Sequence, residues 1–312
     1  MQKKHKILVS DLFEYSSNYT DNLDITICSN LGKEPEKLIE KINGFEGLIV
    51  RNVTQVNKEL LKHAQNLKIV GRLGVGLDNL DLEELNRLNI PAVYTPTANS
   101  NSVAEYCLGQ ILNLFRLLPL ASDSTTKGNW SRSQFIGREI SNSTFGIIGF
   151  GNSGKCLAHK LHLLGGKILV HSNKEEDSSL PYKFLGLNEV LKSSDAISVH
   201  VPHNKETSQM FNEKAFNKMK KGAVFLNTSR GEVVNELDLI NALKSNHLHG
   251  AALDVRSQEP PVTSELEELK NVLLSPHIAA FTNEAQSRVS DSILQDISLF
   301  FSGSNPKCLV KY

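Results

Sequence analysis

The chain has 312 residues, enough for two domains that each bury a core. Its 34 Lys and Arg residues balance 34 Asp and Glu, so no global field points to nucleic acid or to a membrane surface. Aromatic residues make up only 6%, and aliphatic residues come in short blocks. That mix suits parallel sheets covered by helices rather than a β-sandwich.

The first six residues are basic, but only Ile7-Leu8-Val9 follows before Ser10 and Asp11, too short for a secretory apolar segment. No stretch approaches the length of a membrane span. Cys28, Cys107, Cys156 and Cys308 lack metal-like spacing and read as reduced thiols. A cytoplasmic location, no membrane, no nucleic acid and no metal are expected.

Strands are expected at Lys6–Ser10, Gly47–Arg51, Lys68–Arg72 and Pro91–Tyr94. Amphipathic helices fall between them, such as Asn57–Ala64 and Leu82–Leu88, the latter opening at Asp81 as N-cap. This β-α alternation predicts a parallel sheet. From Ser102 to Leu118 runs a helical pattern with almost no charge, expected to be buried between domains or subunits, with Pro119 ending its regular part.

A second β-α series begins near Thr144, with strands expected at Thr144–Gly149, Lys167–His171, Ala196–His200, Ala223–Asn227, Gly250–Asp254 and Val272–Ser275. Six strands is the number a dinucleotide-binding fold uses. The last helix, Glu284–Phe301, is expected to begin after Thr282. The chain ends at Tyr312 soon afterwards, so no C-terminal regulatory domain is expected.

Gly149-Phe150-Gly151-Asn152-Ser153-Gly154 lies between the strand Phe145–Ile148 and the helix Lys155–Leu164. A lone GxGxxG is a weak signal, because glycine turns between strand and helix are common. Here the context makes it a dinucleotide site. The first glycine permits the turn, the second admits the pyrophosphate, and the third lets helix pack on strand. The helix N-terminus adds N–H groups and partial positive charge. A site selective for NAD usually carries Asp or Glu at the end of the next strand. That position reads Ser172-Asn173-Lys174, a hydroxyl, an amide and an ammonium suited to a 2′-phosphate. Glu175 and Glu176 stand near, but the set favours NADP over NAD.

At this point the sequence resembles the D-isomer-specific 2-hydroxyacid dehydrogenases. The resemblance covers nearly the whole chain, through Gly71–Asn79, Thr95-Pro96 and Ser102–Glu105. It continues through His200-Val201-Pro202, Asn227–Gly231, Ala252–Val255, Glu259-Pro260 and Ser275–Ala280. It implies two Rossmann-like or flavodoxin-like α/β domains with parallel sheets. A substrate domain (1–98 plus 287–312) would be interrupted by a dinucleotide-binding domain (99–286), with homodimerisation through the latter. The implied activity is hydride transfer between NAD(P)H and a small 2-oxo or 2-hydroxy acid. Glyoxylate and hydroxypyruvate come first, then phosphoglycerate and sulfolactate types.

The resemblance assigns a catalytic set of Arg230, Glu259 and His277. Arg230 would hold the substrate carboxylate with a planar, always charged fork. His277 would exchange the proton with the substrate oxygen, and Glu259 would fix its tautomer and favour the imidazolium. Leu73, Gly74, Val75 and Gly76 would meet the substrate, Val75 and Gly76 through backbone N–H groups, and Asn52 and Val53 would line its side-chain pocket. Asp254 would meet the nicotinamide amide. His200, Val201, Pro202, Thr207, Thr228, Ser229, Ala279 and Ala280 would complete the cofactor cleft, with alanines at 279 and 280 where many relatives carry glycine.

His159 and His162 share a helix face at one-turn spacing, but without companion ligands they read as surface histidines rather than a metal pair. Cys156 near a helix N-terminus is a redox candidate of low weight. Two rival functions use the same scaffold. One is a dinucleotide-sensing, corepressor-like binding protein, for which an intact Arg230, Glu259 and His277 set is unnecessary. The other is formate oxidation, for which no smaller pocket is evident.

Overall fold

The computed structural model describes residues 4–15, 18–173 and 178–312. The chain divides into two compact units, Met1–Asn99 with Phe281–Tyr312, and Ser100–Ala280 inserted between those segments. The first unit opens with β1 (His5–Val9), β2 (Leu23–Ile27), α1 (Pro35–Ile42) and β3 (Gly47–Val50). There follow α2 (Lys58–His63), β4 (Ile69–Arg72), α3 (Leu82–Arg87) and β5 (Ala92–Val93). The strands pair in parallel in the order β2-β1-β3-β4-β5, the flavodoxin-like arrangement. Alternation along the strands divides the core. Leu8, Val50 and Val70 pack with Leu38, Ile42, Leu60 and Leu85, while Ile7, Val9, Ile49 and Ile69 face the opposite layer. Burial on both faces is why these strands read as unbroken apolar runs. β2 is a further strand. Its Leu23-Asp24-Ile25-Thr26-Ile27 buries only Leu23 fully, as an edge allows.

In the second unit come α4 (Ser100–Arg116), α5 (Leu118–Thr126), β6 (Thr144–Ile148), α6 (Asn152–Leu163) and β7 (Lys167–His171). β8 (Lys183–Phe184), α7 (Leu187–Ser193), β9 (Ala196–Val199), α8 (Glu213–Lys218) and β10 (Ala223–Asn227) follow. The series ends with α9 (Glu236–Lys244), β11 (Leu248–Leu253) and β12 (Val272–Leu274). The sheet order is β12-β11-β10-β9-β6-β7-β8, with all pairings parallel. Counted from β6, it reads 3-2-1-4-5-6 with a seventh strand added, the dinucleotide-binding order. The expected six strands become seven because two-residue β8 pairs with β7.

The apolar stretch that begins near Ser102 needs no partner to explain it. Val103, Ala104, Cys107, Ile111, Leu114 and Phe115 of α4 are buried inside this unit, with Ile147, Ala158 and Leu226. The helix breaks at Leu117, which adopts φ 54°, two residues before Pro119; the proline sits inside the first turn of α5.

The chain returns to the first unit earlier than residue 287, with α10 (Asn283–Phe301). Thr282 caps it, accepting from Ala285 N at 3.1 Å. Its Val289, Ile293, Leu294 and Ile297 cover the sheet face of Ile7 and Ile49. Residues 281–286 go with this unit because Phe281 stacks against Arg51 and Gln286 accepts from its guanidinium. No helix among the described residues is long and apolar enough to cross a membrane.

Candidate active site

In the second unit the candidate residues gather at the carboxyl ends of β6, β9, β10, β11 and β12, where parallel sheets receive ligands. At the β6–α6 turn Gly149 has φ +94°, and a Cβ there would lie 2.5 Å from His200 O, so only glycine lets the turn pass the tip of β9. A Cβ on Gly154 would strike Gly149 O at 2.3 Å, whereas one on Gly151 would meet nothing within 4 Å. Open space at Gly151 therefore faces the start of a twelve-residue helix that no side chain caps. A pyrophosphate fits such a cradle, held by the N–H groups of Asn152 and Ser153. Ser172 and Asn173 follow the end of β7, while Lys174, with Glu175 and Glu176, lies outside the described residues.

At the tip of β9, His200 Nε2 pairs with Ser198 Oγ at 2.9 Å, and burial pushes the imidazole down to about 4, so it is neutral at pH 7. Thr207 ties the following loop, donating to Pro202 O at 2.6 Å and accepting from Asn204 N at 2.9 Å. Its hydroxyl is therefore engaged within the loop. Thr228 contacts Cys107 Sγ at 3.5 Å; burial pushes that thiol up to about 11 and makes it unreactive. Ser229 Oγ donates to Asn227 Oδ1, and Asn227 Nδ2 donates to Arg230 O, so buried Asn227 shapes the turn that presents Arg230. Arg230 donates to Ser229 O at 2.7 Å.

His277 and Glu259 meet, with Nδ1 2.8 Å from Oε2. Burial pushes the Glu259 carboxyl up. The His277 hydrogen bond and charge, with the Arg256 N–H and the Arg230 charge, outweigh it and hold the group below its ordinary value. Glu259 is thus a carboxylate at neutral pH. With Nδ1 committed to Glu259, Nε2 is the atom left to exchange a proton with a substrate. Arg256, which donates its N–H to Glu259 Oε1 at 3.2 Å, is itself fixed by Glu236 and Glu267.

Asp254, expected to meet a nicotinamide amide, holds its own loop through its carboxylate. Its carboxylate is only 1% exposed. Ser275 Oγ and Ile278 N donate to Oδ1 at 2.5 and 2.8 Å, and Ala279 N to Oδ2 at 2.7 Å. Its carbonyl also accepts from His277 N at 2.8 Å. Asp254 therefore clamps the loop that holds His277 at φ 56°, a left-handed conformation. One partner of this clamp lacked a local signal: Tyr106 OH lies 2.5 Å from Ser275 Oγ, across 169 positions of sequence. Ala280 follows the clamp and is partly buried.

In the first unit the loop after β3 is rigid. Asp11 Oδ2 accepts from Arg51 N at 2.7 Å and from Thr54 Oγ1 at 2.9 Å, and Asn79 Nδ2 donates to the carbonyls of Arg51 and Thr54. Asn52 and Val53 stand exposed on it. After β4, Leu73 supports the loop: its side chain is buried, its N donates to Val50 O, and its carbonyl accepts from Arg72. Gly74, with φ +139°, is backed by Arg72 Nη1, which a Cβ would approach to 1.9 Å. The N–H groups of Val75 and Gly76 donate to no acceptor among the described residues. No group of three His, Cys, Asp or Glu that could hold a metal occurs among the described residues.

Comparisons with known proteins agree with this arrangement. Residues 108–279 match the family model described as D-isomer specific 2-hydroxyacid dehydrogenase, NAD binding domain. The chain is 36% identical to a D-3-phosphoglycerate dehydrogenase of Archaeoglobus fulgidus over 94% of its own length and 56% of that protein. It is 35% identical to a hydroxypyruvate reductase of Thermotoga maritima, over 85% of this chain and 87% of that one. The structure superposes on D-lactate dehydrogenase of Aquifex aeolicus complexed with NAD and lactic acid, with TM-score 0.83, 28% identity and 96% of each chain covered. The chain spans about half the length of the curated phosphoglycerate dehydrogenases it matches. With a parallel sheet in the dinucleotide-binding order, a glycine turn open at Gly151 and a family match over more than half of its residues, the chain belongs to the D-isomer specific 2-hydroxyacid dehydrogenases.

Proposed function

We propose that the chain is an oxidoreductase that interconverts small 2-oxo and 2-hydroxy acids. The observation that carries this reading is the 2.8 Å pair of His277 Nδ1 and Glu259, beside the charge of Arg230. Arg230 binds and orients the substrate carboxylate. In the first unit, Val75 and Gly76 through their N–H groups, and Asn52 and Val53 through their side chains, are its proposed substrate contacts. His277 Nε2 gives its proton to the carbonyl oxygen in reduction and takes it from the hydroxyl in oxidation, while Glu259 stabilises the imidazolium between those events. A nicotinamide dinucleotide, seated on the turn 149–154 and flanked by Val201, Pro202, Thr228, Ala279 and Ala280, supplies or accepts the hydride when bound. A sensing protein would have no use for a proton-transfer pair oriented in this way.

The substrate class begins with glyoxylate and hydroxypyruvate, and the relative covered over 87% of its length is a hydroxypyruvate reductase. Acids with a second anion follow, because half-buried Arg51 supplies a cation beside Asn52. NADP is preferred over NAD on the strength of Ser172, Asn173 and Lys174. Initial rates of NADPH and NADH oxidation, measured separately with glyoxylate, hydroxypyruvate, phosphohydroxypyruvate and sulfopyruvate, test these points together. Turnover faster with NADPH is expected. Preference for NADH would remove the cofactor assignment, and binding of both without turnover would remove the enzymatic reading.

The working form is a homodimer joined through the dinucleotide unit. Its evidence is three exposed apolar side chains: Trp130 and Ile136, in the segment after α5, are each 81% exposed, and Leu118, at the start of α5, is 49% exposed. Large exposed apolar side chains mark a candidate contact surface. By light scattering the protein is expected at twice the chain mass, and the variant W130E/I136E at the mass of one chain. An unchanged mass in that variant would place the contact elsewhere.

A further inference from the structure

Outside the catalytic pair, the second unit contains a hydroxyl chain that the reaction as described does not use. Buried Asp254 is a carboxylate that accepts from Ser275 Oγ, Ile278 N and Ala279 N. A serine has one hydroxyl proton, and Ser275 directs it to Asp254. Ser275 Oγ must therefore be the acceptor in its 2.5 Å contact with Tyr106 OH, and the phenol is the donor. The order of donation runs from Tyr106 through Ser275 to Asp254 and stops at a charge, an arrangement in which each bond strengthens the next.

The chain's position gives it consequence. Tyr106 belongs to α4, a seventeen-residue helix anchored in the core by its neighbours Val103, Cys107 and Ile111. Ser275 and Asp254 flank the turn that holds His277 at φ 56°. A non-glycine residue in that conformation is held there by its surroundings, and the surroundings are these bonds. We infer that Tyr106 is a positioning residue for His277, acting through Ser275 and Asp254 to hold the imidazole against Glu259.

This inference rests on the reading of His277 as the proton-exchanging group. Tyr106→Phe keeps the ring and removes only the donor. Its kcat for hydroxypyruvate is expected to fall about 3- to 10-fold, the worth of one buried hydrogen bond to a charged network, with unchanged affinity for the dinucleotide. Ser275→Ala is expected to lose as much or more, and Ser275→Thr, which restores the hydroxyl, to recover most of the rate.

A readout independent of turnover is the Nδ1–H signal of the His277–Glu259 hydrogen bond, followed by nitrogen–proton NMR in the unliganded protein. In Tyr106→Phe that signal is expected to move upfield and broaden, because a looser loop weakens the contact with Glu259. Wild-type rate and an unmoved Nδ1–H signal in Tyr106→Phe would overturn the inference. So would a slow Ser275→Thr that behaves like Ser275→Ala. If Tyr106→Phe does not fold, the two Ser275 variants decide alone. If His277→Asn retains full turnover, the acid–base reading is what fails, and the Nδ1–H signal still decides whether Tyr106 positions His277.

Discussion

Replacing His277 by Asn is expected to lower kcat for reduction of hydroxypyruvate by about 10²- to 10⁴-fold, the usual contribution of a positioned acid or base. That loss corresponds to roughly 3–5 kcal/mol of barrier. Asn is the informative substitution because position 277 has φ 56°, and Asn tolerates the left-handed region better than most residues. The loop tied by Asp254 should therefore survive, and an amide can still meet the Glu259 carboxylate. What disappears is an exchangeable proton near neutrality. Dinucleotide affinity, measured by fluorescence quenching or calorimetry, should stay at the wild-type value, since the turn 149–154 is untouched.

The pH behaviour has a definite sign. Glu259 is held below the ordinary carboxylate value, so it is ionised from mildly acidic to alkaline pH. Reduction needs the imidazolium, so kcat/KM for the 2-oxo acid should fall on the alkaline side as the proton is lost. Oxidation needs the neutral imidazole, and its rate should fall on the acid side. The depressed carboxyl also means that its pairing stabilises the fold above the unfolded carboxylate range and ceases to do so as pH falls through the lower folded value. His277→Asn should flatten both rate profiles. A variant that retains wild-type kcat, or retains both limbs, would show that another group exchanges the proton.

Much of this site was legible in the sequence because its signals are local. The glycine turn is six consecutive residues between a strand and a helix, and the structure has β6 and α6 on either side of it. Core strands such as Gly47–Val50 and Ala223–Asn227 show as apolar runs because both faces are covered. Edges were harder. β2 carries Asp24 and Thr26 toward partly solvated positions, and β8 is two residues long, so neither makes an apolar block.

The other differences concern direction. Leu73 lies in a loop expected to meet ligand, yet its side chain turns into the core; Asp254 ends a strand where ligands bind, yet its carboxylate turns into the 275–279 loop. Orientation of one side chain at a strand tip depends on which N–H groups arrive from elsewhere in the fold, and spacing along the chain does not encode it. The contact of Tyr106 with Ser275 is of the same kind. It joins the first helix of the unit to the residue after its last strand, and Tyr106 does not stand out in its own segment.

Arg230→Gln is expected to raise KM for the 2-oxo acid and lower kcat together, so that kcat/KM falls by about 10²- to 10³-fold. Each hydrogen bond to a charged group contributes roughly 1.5–3 kcal/mol, and a planar fork offers a carboxylate two of them. The side chain leaves a turn that its removal should not unmake. Asn227 is buried, and its side chain holds both Ser229 and the Arg230 carbonyl through atoms that the substitution keeps. The loss should therefore appear without a fall in melting temperature.

Arg230→Lys separates charge from geometry. It keeps the cation but not the fork, and should recover about tenfold of the loss at most. The charge has a second use, since Arg230 is among the groups that hold the Glu259 carboxyl down. In Arg230→Gln that carboxyl should rise, and the pH below which its pairing with His277 ceases to stabilise the fold should move upward, whereas Arg230→Lys should leave that pH near its original place. A KM increase in Arg230→Gln with kcat unchanged would mean that the arginine binds substrate and transition state equally. Wild-type kinetics in both variants would remove Arg230 from the site.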